Sequence, residues 1–423
     1  MLNSGTPARN WAGNVTFGAK RVHRPASVEE LRRLVAEASG PVRALGTGHS
    51  FNLIADTTGD LVRTDGLPRR AEIDAARRRV TVAGGMRYAE VAAALHAEGF
   101  ALANMASLPH ITVAGSVATG THGSGDRQPG LASAVSAVEI VGAGGELLRL
   151  DRQADPDRFP GAVVSLGALG IVTALTLDIE PAYEVAQWVY LGVPLEAVRE
   201  SFPAVSGAAY SVSTFTRWED GTATVVLKRR TDRDGADHPG EGWLGGRLAS
   251  EPWHPIAGMP ATYCTQQLGV PGPWHERLPH FRSEFTPSHG EELQSELFVP
   301  REAAPEAVAA LRELAPAFAG VLQVTEIRTI AAEEQWLSPA YGRDSAAFHF
   351  TWVKDTAAVL PVLAEVEARL LPLGARPHWG KLTTAAPADI AARYPRLADF
   401  RRLTGELDPE GTFRNAYVAA LLG

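Results

Sequence analysis

The segment from Ala101 to Gly125, ALANMASLPHITVAGSVATGTHGSG, limits what this chain can fold into more than any other stretch. It has neither the period of an amphipathic helix nor the alternation of a half-buried strand. It contains no Asp, Glu, Lys or Arg and is built largely of small residues. A solvated loop would be more polar. Gly, Ala, Ser and Thr permit close backbone approach, so the segment is expected to lie against something large and rigid. The 41 Gly and 29 Pro of the 423 residues exceed ordinary usage and fall in clusters, which mark functional loops as well as turns.

Around this segment the pattern is mixed. Ser27-Val-Glu-Glu is a capping box that opens a helix from Val28 to about Ala38, with Leu31, Leu34 and Val35 on one stripe. A strand Val42–Leu45 runs into Gly46-Thr-Gly-His-Ser50. Short strands follow near Leu61–Arg63, Ala71–Asp74 and Arg79–Ala83, and a helix near Tyr88–Ala97 ends at Gly99, suited to a left-handed C′ position. A hairpin Ala134–Val141/Glu146–Leu150, a helical piece near Phe159–Leu166 and a strand Ile171–Ile179 complete this part. After Ala182 longer alternating strands appear, with Ser211–Trp218 and Thr222–Arg230 as a hairpin and Thr231–Pro260 as a loop-rich stretch. The order strand Leu293–Val299, helix Pro305–Ala315, strand Val321–Ile330, strand Ala347–Val353, helix Ala357–Leu371 predicts an antiparallel sheet covered on one face by helices. From Arg376 onward the chain returns to loops and a short helical end.

Composition removes several classes. A net charge of −8 without a block of like charge argues against a nucleic-acid partner. A single Cys, Cys264, can form no internal disulfide, thiolate zinc site or iron–sulfur cluster. No run approaches the ~18 apolar residues of a membrane span, and Met1–Phe17 lacks the pattern of a secretory leader, so a cytoplasmic protein is expected. Gly374-Ala-Arg-Pro-His-Trp-Gly-Lys381 has the wrong spacing for a P-loop, and neither a His-Glu-x-x-His pair nor a Gly-x-Ser-x-Gly elbow occurs.

Three features could carry chemistry. Gly46, Gly48, Gly115, Gly120 and Gly123 could turn backbone N–H groups toward a pyrophosphate, or could simply make turns. In Val321–Ile330, Val324, Glu326 and Arg328 share one face, as do His349 and Thr351 in Ala347–Val353, while Phe348, Phe350 and Trp352 take the other. Such a polar face either meets water or holds a polyhydroxylated ligand, and a carboxylate, a guanidinium, an imidazole and a hydroxyl together suit the second. Pro377-His-Trp-Gly-Lys381 is a stiff element ending in a cation.

In order along the chain, Leu45-Gly-Thr-Gly-His-Ser-Phe-Asn52, Asn104-Met-Ala-Ser-Leu-Pro-His110, Gly115-Ser-Val-Ala-Thr-Gly-Thr-His-Gly-Ser124, Glu326-Ile-Arg328, His349-Phe-Thr-Trp352 and His378-Trp-Gly-Lys381 resemble the alditol oxidases of the vanillyl-alcohol-oxidase flavoprotein superfamily. The resemblance runs from about Asn10 to Tyr417 and implies an α+β fold. Residues 1–181 would form an FAD-binding domain of the PCMH type with two small α+β subdomains, and 182–375 a substrate domain with an antiparallel sheet under helices. Residues 376–423 would return to the FAD domain. It implies FAD attached covalently through His49, with Gly46, Gly48 and Ser50 at the pyrophosphate and Thr47 among the other cofactor-binding residues. Ser107, Thr112, Gly115, Thr119, Gly120, Thr121, His122, Val172 and His378 would complete the pocket. Ser107, Glu326, Arg328, Thr351 and Lys381 would bind substrate, with Arg328, Lys381 and His349 as the catalytic groups. His349 would help remove the hydroxyl proton, or Arg328 and Lys381 would support an alkoxide whose proton goes to water. The implied reaction is oxidation of the terminal alcohol of an alditol such as xylitol or sorbitol to the aldose, with oxygen reduced to hydrogen peroxide. Small Ala106 is compatible with oxygen reaching the flavin. The alternative in the same fold is an aldonolactone oxidase or dehydrogenase. The expected partners are the polyol and oxygen, with no nucleic acid, membrane or metal, and the expected state is a monomer.

Overall fold

The computed structural model of the protein describes residues 8–285 and 290–423. Its helix Val28–Ala36 begins where Ser27 Oγ accepts from Glu30 N at 3.1 Å, and the Glu30 carboxylate in turn accepts from Ala26 N at 2.8 Å. Helix Tyr88–Ala97 stops short of Gly99, which takes φ +77°. Strands Arg21–His23, Asp60–Arg63 and Val42–Leu45 form a small parallel sheet with Asp60–Arg63 in the middle. A five-stranded antiparallel sheet pairs Ala71–Asp74, Arg79–Ala83, Ile171–Asp178, Val135–Val141 and Leu147–Asp151 in that order. Buried Arg43 ties these parts together. Its guanidinium donates to the carbonyls of Leu166, Gly167 and Phe413, and burial pushes its pKa down to about 10.

The third sheet is antiparallel and large. From the middle to one edge its strands run Ser211–Thr216, Leu322–Ile330, Ser345–Trp352, Leu293–Pro300 and Arg376–Pro377, the last at the edge. One face is apolar: Phe348, Phe350 and Trp352 are fully buried in one cluster with Val308 and Leu311 of helix Ala304–Phe318 and Val359 and Leu363 of helix Thr356–Leu370. The period-two reading therefore placed the aromatics on the helix-covered side. The opposite face carries the polar residues.

Several local expectations need correction. The segment Ala101–Gly125 is not wholly irregular, because Val113–Ala118 form a short helix that begins at Thr112. The helical piece at Phe159 stops at Val163, and Leu166 and Gly167 then take positive φ. The carboxyl-terminal region holds an eleven-residue helix, Leu397–Leu407, as well as Ala416–Leu422. Leu397, Phe400, Leu403 and Thr404 form its buried stripe, and Gly405 near its end obscures the helical signal in the sequence. These helices share a core with Val80, Val82, Val138 and Leu175 of the five-stranded sheet. Among the described residues no helix is long and apolar enough to cross a membrane.

Candidate active site

Strand register assembles the polar face. Glu326 lies opposite His349, and His349 lies opposite Glu296 on the next strand, so three titratable groups form one row across the sheet. Val324, Thr351 and Gln294 form the adjacent row. Beyond Arg376–Pro377 the chain continues along the same strand: His378 N donates to Glu296 O at 3.0 Å and Leu382 N to Gln294 O at 2.9 Å. That path delivers Lys381 over the row. Trp379 anchors it, buried, with its indole N–H on the carbonyl of Leu337 at 2.6 Å.

The row is held by charge. The Glu296 carboxylate, 1% exposed, accepts from Arg328 Nη2 at 2.6 Å, Lys381 Nζ at 2.8 Å and His122 Nε2 at 3.1 Å. Burial opposes its ionisation, but Lys381, His122 and Arg328 overcome this and hold it well below the usual carboxylate range. Glu326 is likewise lowered against its burial by Arg328 and His280. Lys381 Nζ also lies 2.6 Å from His349 Nδ1. Burial, reinforced by Lys381, pushes His349 down to about 4, and burial lowers Lys381 itself despite Glu296. His349 is thus neutral at pH 7. While Lys381 is an ammonium it donates to Nδ1, which leaves the imidazole proton on Nε2, 3.3 Å from Thr351 Oγ1.

The other end of the same cleft is formed by the glycine-rich loops. Gly48 and Gly120 both take φ +71°. A Cβ on Gly46 would sit 2.1 Å from Thr112 Oγ1, and one on Gly84 2.7 Å from the carbonyl of Val172, so both are places of close backbone approach. His49 stacks on Trp11 with ring centroids 4.7 Å apart, and its buried Nδ1 has no hydrogen-bond partner among the described residues. Burial, with His110 and Arg87 nearby, pushes its pKa down to about 3. Arg328 Nε and Glu326 Oε1 are also buried without a hydrogen bond, although His280 Nε2 approaches Glu326 Oε1 to 3.1 Å. A long ligand with a hydrogen-bonding middle and a polar end group fits these features.

The cleft gathers nearly all the residues singled out from the sequence. Gly46, Thr47, Gly48, His49 and Ser50 line it, as do Ser107, Thr112, Gly115, Thr119, Thr121 and His122. Val172, His378, Glu326, Arg328, His349, Thr351 and Lys381 complete the set. Gly120 and Gly123 are the exceptions: Gly120 turns the chain beside Pro339, Gly123 packs against Asn104 and the Met105 carbonyl, and neither lines the cleft. Ser107 Oγ reaches Arg328 Nη1 at 3.4 Å, joining the Ala101–Gly125 segment to the sheet. Glu296 was missed. Its signal was the one charged residue in strand Leu293–Val299, and only the register reveals that it shares a row with His349 and Glu326. Gln294 on the same strand also lines the cleft.

The sequence is similar to known proteins over nearly its whole length. Residues 19–151 match the family described as FAD binding domain, and residues 291–421 match D-arabinono-1,4-lactone oxidase. Over 420 residues, covering 99% of each chain, the sequence is 55% identical to an alditol oxidase of Streptomyces sp.. It is 28% identical to an L-gulono-1,4-lactone dehydrogenase of Mycobacterium tuberculosis and 24% identical to the L-gulonolactone oxidase of Mus musculus, covering 98% of each chain in both cases. Among solved structures, cholesterol oxidase from B. sterolicum superposes with a TM-score of 0.78, covering 99% of this chain and 96% of that one, at 13% identity. At that identity the likeness is one of fold.

Proposed function

The chain belongs to the alditol oxidases, FAD-dependent oxidoreductases with the vanillyl-alcohol-oxidase fold, and on that premise we propose that it oxidises the terminal alcohol of xylitol- or sorbitol-like alditols to the aldose, with FAD joined through His49 and oxygen reduced to hydrogen peroxide. The observation that carries this reading is the register that sets Glu326, His349 and Glu296 in one row, with Arg328, Thr351 and Lys381 beside them in the cleft that also holds His49. The shared core of the five-stranded sheet and the carboxyl-terminal helices supports a division into an FAD domain, 1–181 with 376–423, around a substrate domain, 182–375.

When bound, FAD supplies the acceptor for the substrate's hydride and passes the electrons on to oxygen. His49 would hold it, with the glycine loop 46–50, Thr112, Thr119, Thr121, His122 and Val172 along the same cleft. The protein's own residues then do three things. Glu326, Thr351 and Ser107 bind successive hydroxyls of the open chain and fix which carbon reacts. Arg328 and Lys381 stabilise negative charge on the reacting oxygen, a preorganised pair of cations in a buried site. His349 accepts from Lys381 and, low in basicity, steadies that ammonium. Of the two proton routes compatible with these residues, this contact favours an alkoxide supported by Arg328 and Lys381, its proton released to water.

The match of residues 291–421 to D-arabinono-1,4-lactone oxidase supports a second reading, oxidation of an aldonolactone. One assay separates them. Peroxide release is expected with xylitol and sorbitol and to be weak with gulonolactone, and activity with the lactone alone would overturn the alditol reading. Acid-precipitated protein is expected to stay yellow, and a colourless pellet would remove the His49 linkage.

A further inference from the structure

The carboxylate of Glu296 bonds both cations of the cleft, one on each oxygen: Arg328 on Oε1 and Lys381 on Oε2. Its strand is the neighbour on which the Lys381 segment is laid, through the bond from His378 N to Glu296 O at 3.0 Å. Glu296 therefore fixes the position of Lys381 twice, by main chain and by side chain.

The charges of the buried row also balance. Two carboxylates, Glu296 and Glu326, face two cations, Arg328 and Lys381. The remaining titratable groups facing them are His122, His280, His349 and His378, with buried Lys228 near Glu326 and Arg328, all pushed by burial toward the neutral form. Neutralising Glu296 would leave an excess positive charge in a buried site. Arginine cannot release its proton, whereas lysine can. Lys381 would be the group to yield, since Glu296 is what opposes the effect of burial on it. As a free amine it would offer a lone pair to His349 Nδ1 in place of a proton, and the imidazole proton would move from Nε2 to Nδ1.

We propose that Glu296 is a positioning residue for the oxidation: it keeps Lys381 in its ammonium form and aims that ammonium, together with the Arg328 guanidinium, at the oxygen of the reacting alcohol. The inference rests on the alditol-oxidising reading of the cleft. It assigns to Glu296 no contact with substrate, which distinguishes it from Glu326 on the far side of His349 in the same row.

The test uses the holoenzyme and three measurements. In Glu296→Gln, a near-isosteric change that removes the charge and turns one acceptor oxygen into a donor, the alkaline limb of the pH profile for flavin reduction by xylitol is expected to move down by about 1–3 pH units, the usual effect of an opposite charge at this range. The maximal rate at pH 8 falls while the xylitol dissociation constant, read from anaerobic perturbation of the flavin spectrum, changes less than threefold. Adding Glu296→Gln to Lys381→Met is expected to move the limb no further. Histidine-15N spectra supply a readout independent of turnover: His349 carries its proton on Nε2 in the wild type at pH 7 and on Nδ1 in Glu296→Gln. An unmoved alkaline limb in Glu296→Gln, or a wild-type His349 protonated on Nδ1 at pH 7, would overturn the proposal. The second result needs no variant, so it decides even where Glu296→Gln fails to fold. Wild-type protein that turns over no alditol would overturn the reading of the cleft, a different result from a wild-type enzyme that works and a Glu296→Gln enzyme with an unchanged profile.

Discussion

The side-chain amide of Asn52 donates to the backbone carbonyl of Lys381 at 2.8 Å, across 329 positions of sequence, and also to the carbonyl of Trp379 at 2.8 Å. The loop that carries His49 and the element that carries Lys381 are therefore one hydrogen-bonded unit, reinforced by Phe51 N on Gly380 O. Asn52→Ala leaves those part-buried carbonyls without their donor and is expected to cost about 1–3 kcal/mol of stability. Urea denaturation measures that loss. Flavin reduction should slow in parallel, because Lys381 would no longer be held relative to His49.

Lys381 and His349 touch at 2.6 Å but have unequal roles. Lys381→Met removes a preorganised cation from the reacting oxygen and is expected to slow flavin reduction by about 10²–10³-fold with the yellow cofactor retained. His349→Gln keeps a polar partner for Lys381, and its cost is expected to be about 10-fold or less. Stopped-flow reduction under anaerobic conditions compares the two. Equal losses would make His349 the proton acceptor after all.

Much of this site was legible in the sequence because strand alternation is a strong rule: Glu326 with Arg328, and His349 with Thr351, needed only the period of two. The glycine loops were legible for a similar reason, since Gly46 and Gly48 sit where a side chain would collide or the backbone turns left-handed. Glu296 was not legible. Which residues share a row depends on how three strands slide past one another, and a one-residue slip would have turned the carboxylate into the helix-covered core. The helix Leu397–Leu407 escaped for a weaker reason, the low helical propensity of Gly405 within an otherwise regular stripe.

Acid should unfold the protein early. His280 and His349 are buried, and burial lowers each to about 4. The unfolded chain binds these protons below the ordinary value of about 6.5, the folded chain only below about 4, so stability falls as pH drops through that window and levels off beneath it. By linkage each histidine contributes up to about 3 kcal/mol of this loss. Buried Glu333 and Glu367 act in the opposite sense, because burial raises their pKa values and the folded state then takes up protons first. His49, lowered by burial to about 3, acts in the same sense as the other two histidines, and urea midpoints at pH 7, 6 and 5 are expected to decline steadily. A flat series would mean that these imidazoles are protonated in the folded protein.

Gly46 offers the sharpest test of the cofactor end of the cleft. Alanine there would bring a methyl group to 2.1 Å from Thr112 Oγ1, and Thr112 is β-branched and buried, with little freedom to turn away. Either the loop moves or Thr112 does, and both line the cleft beside His49. Gly46→Ala is therefore expected to fold but to retain at most a tenth of the wild-type flavin, read from the ratio of visible to ultraviolet absorbance. Gly40→Ala is the matched control, since a Cβ there meets nothing within 4 Å. Full flavin content in Gly46→Ala would show that the loop carries no close contact with the cofactor, whereas loss in both variants would point to folding rather than to the site.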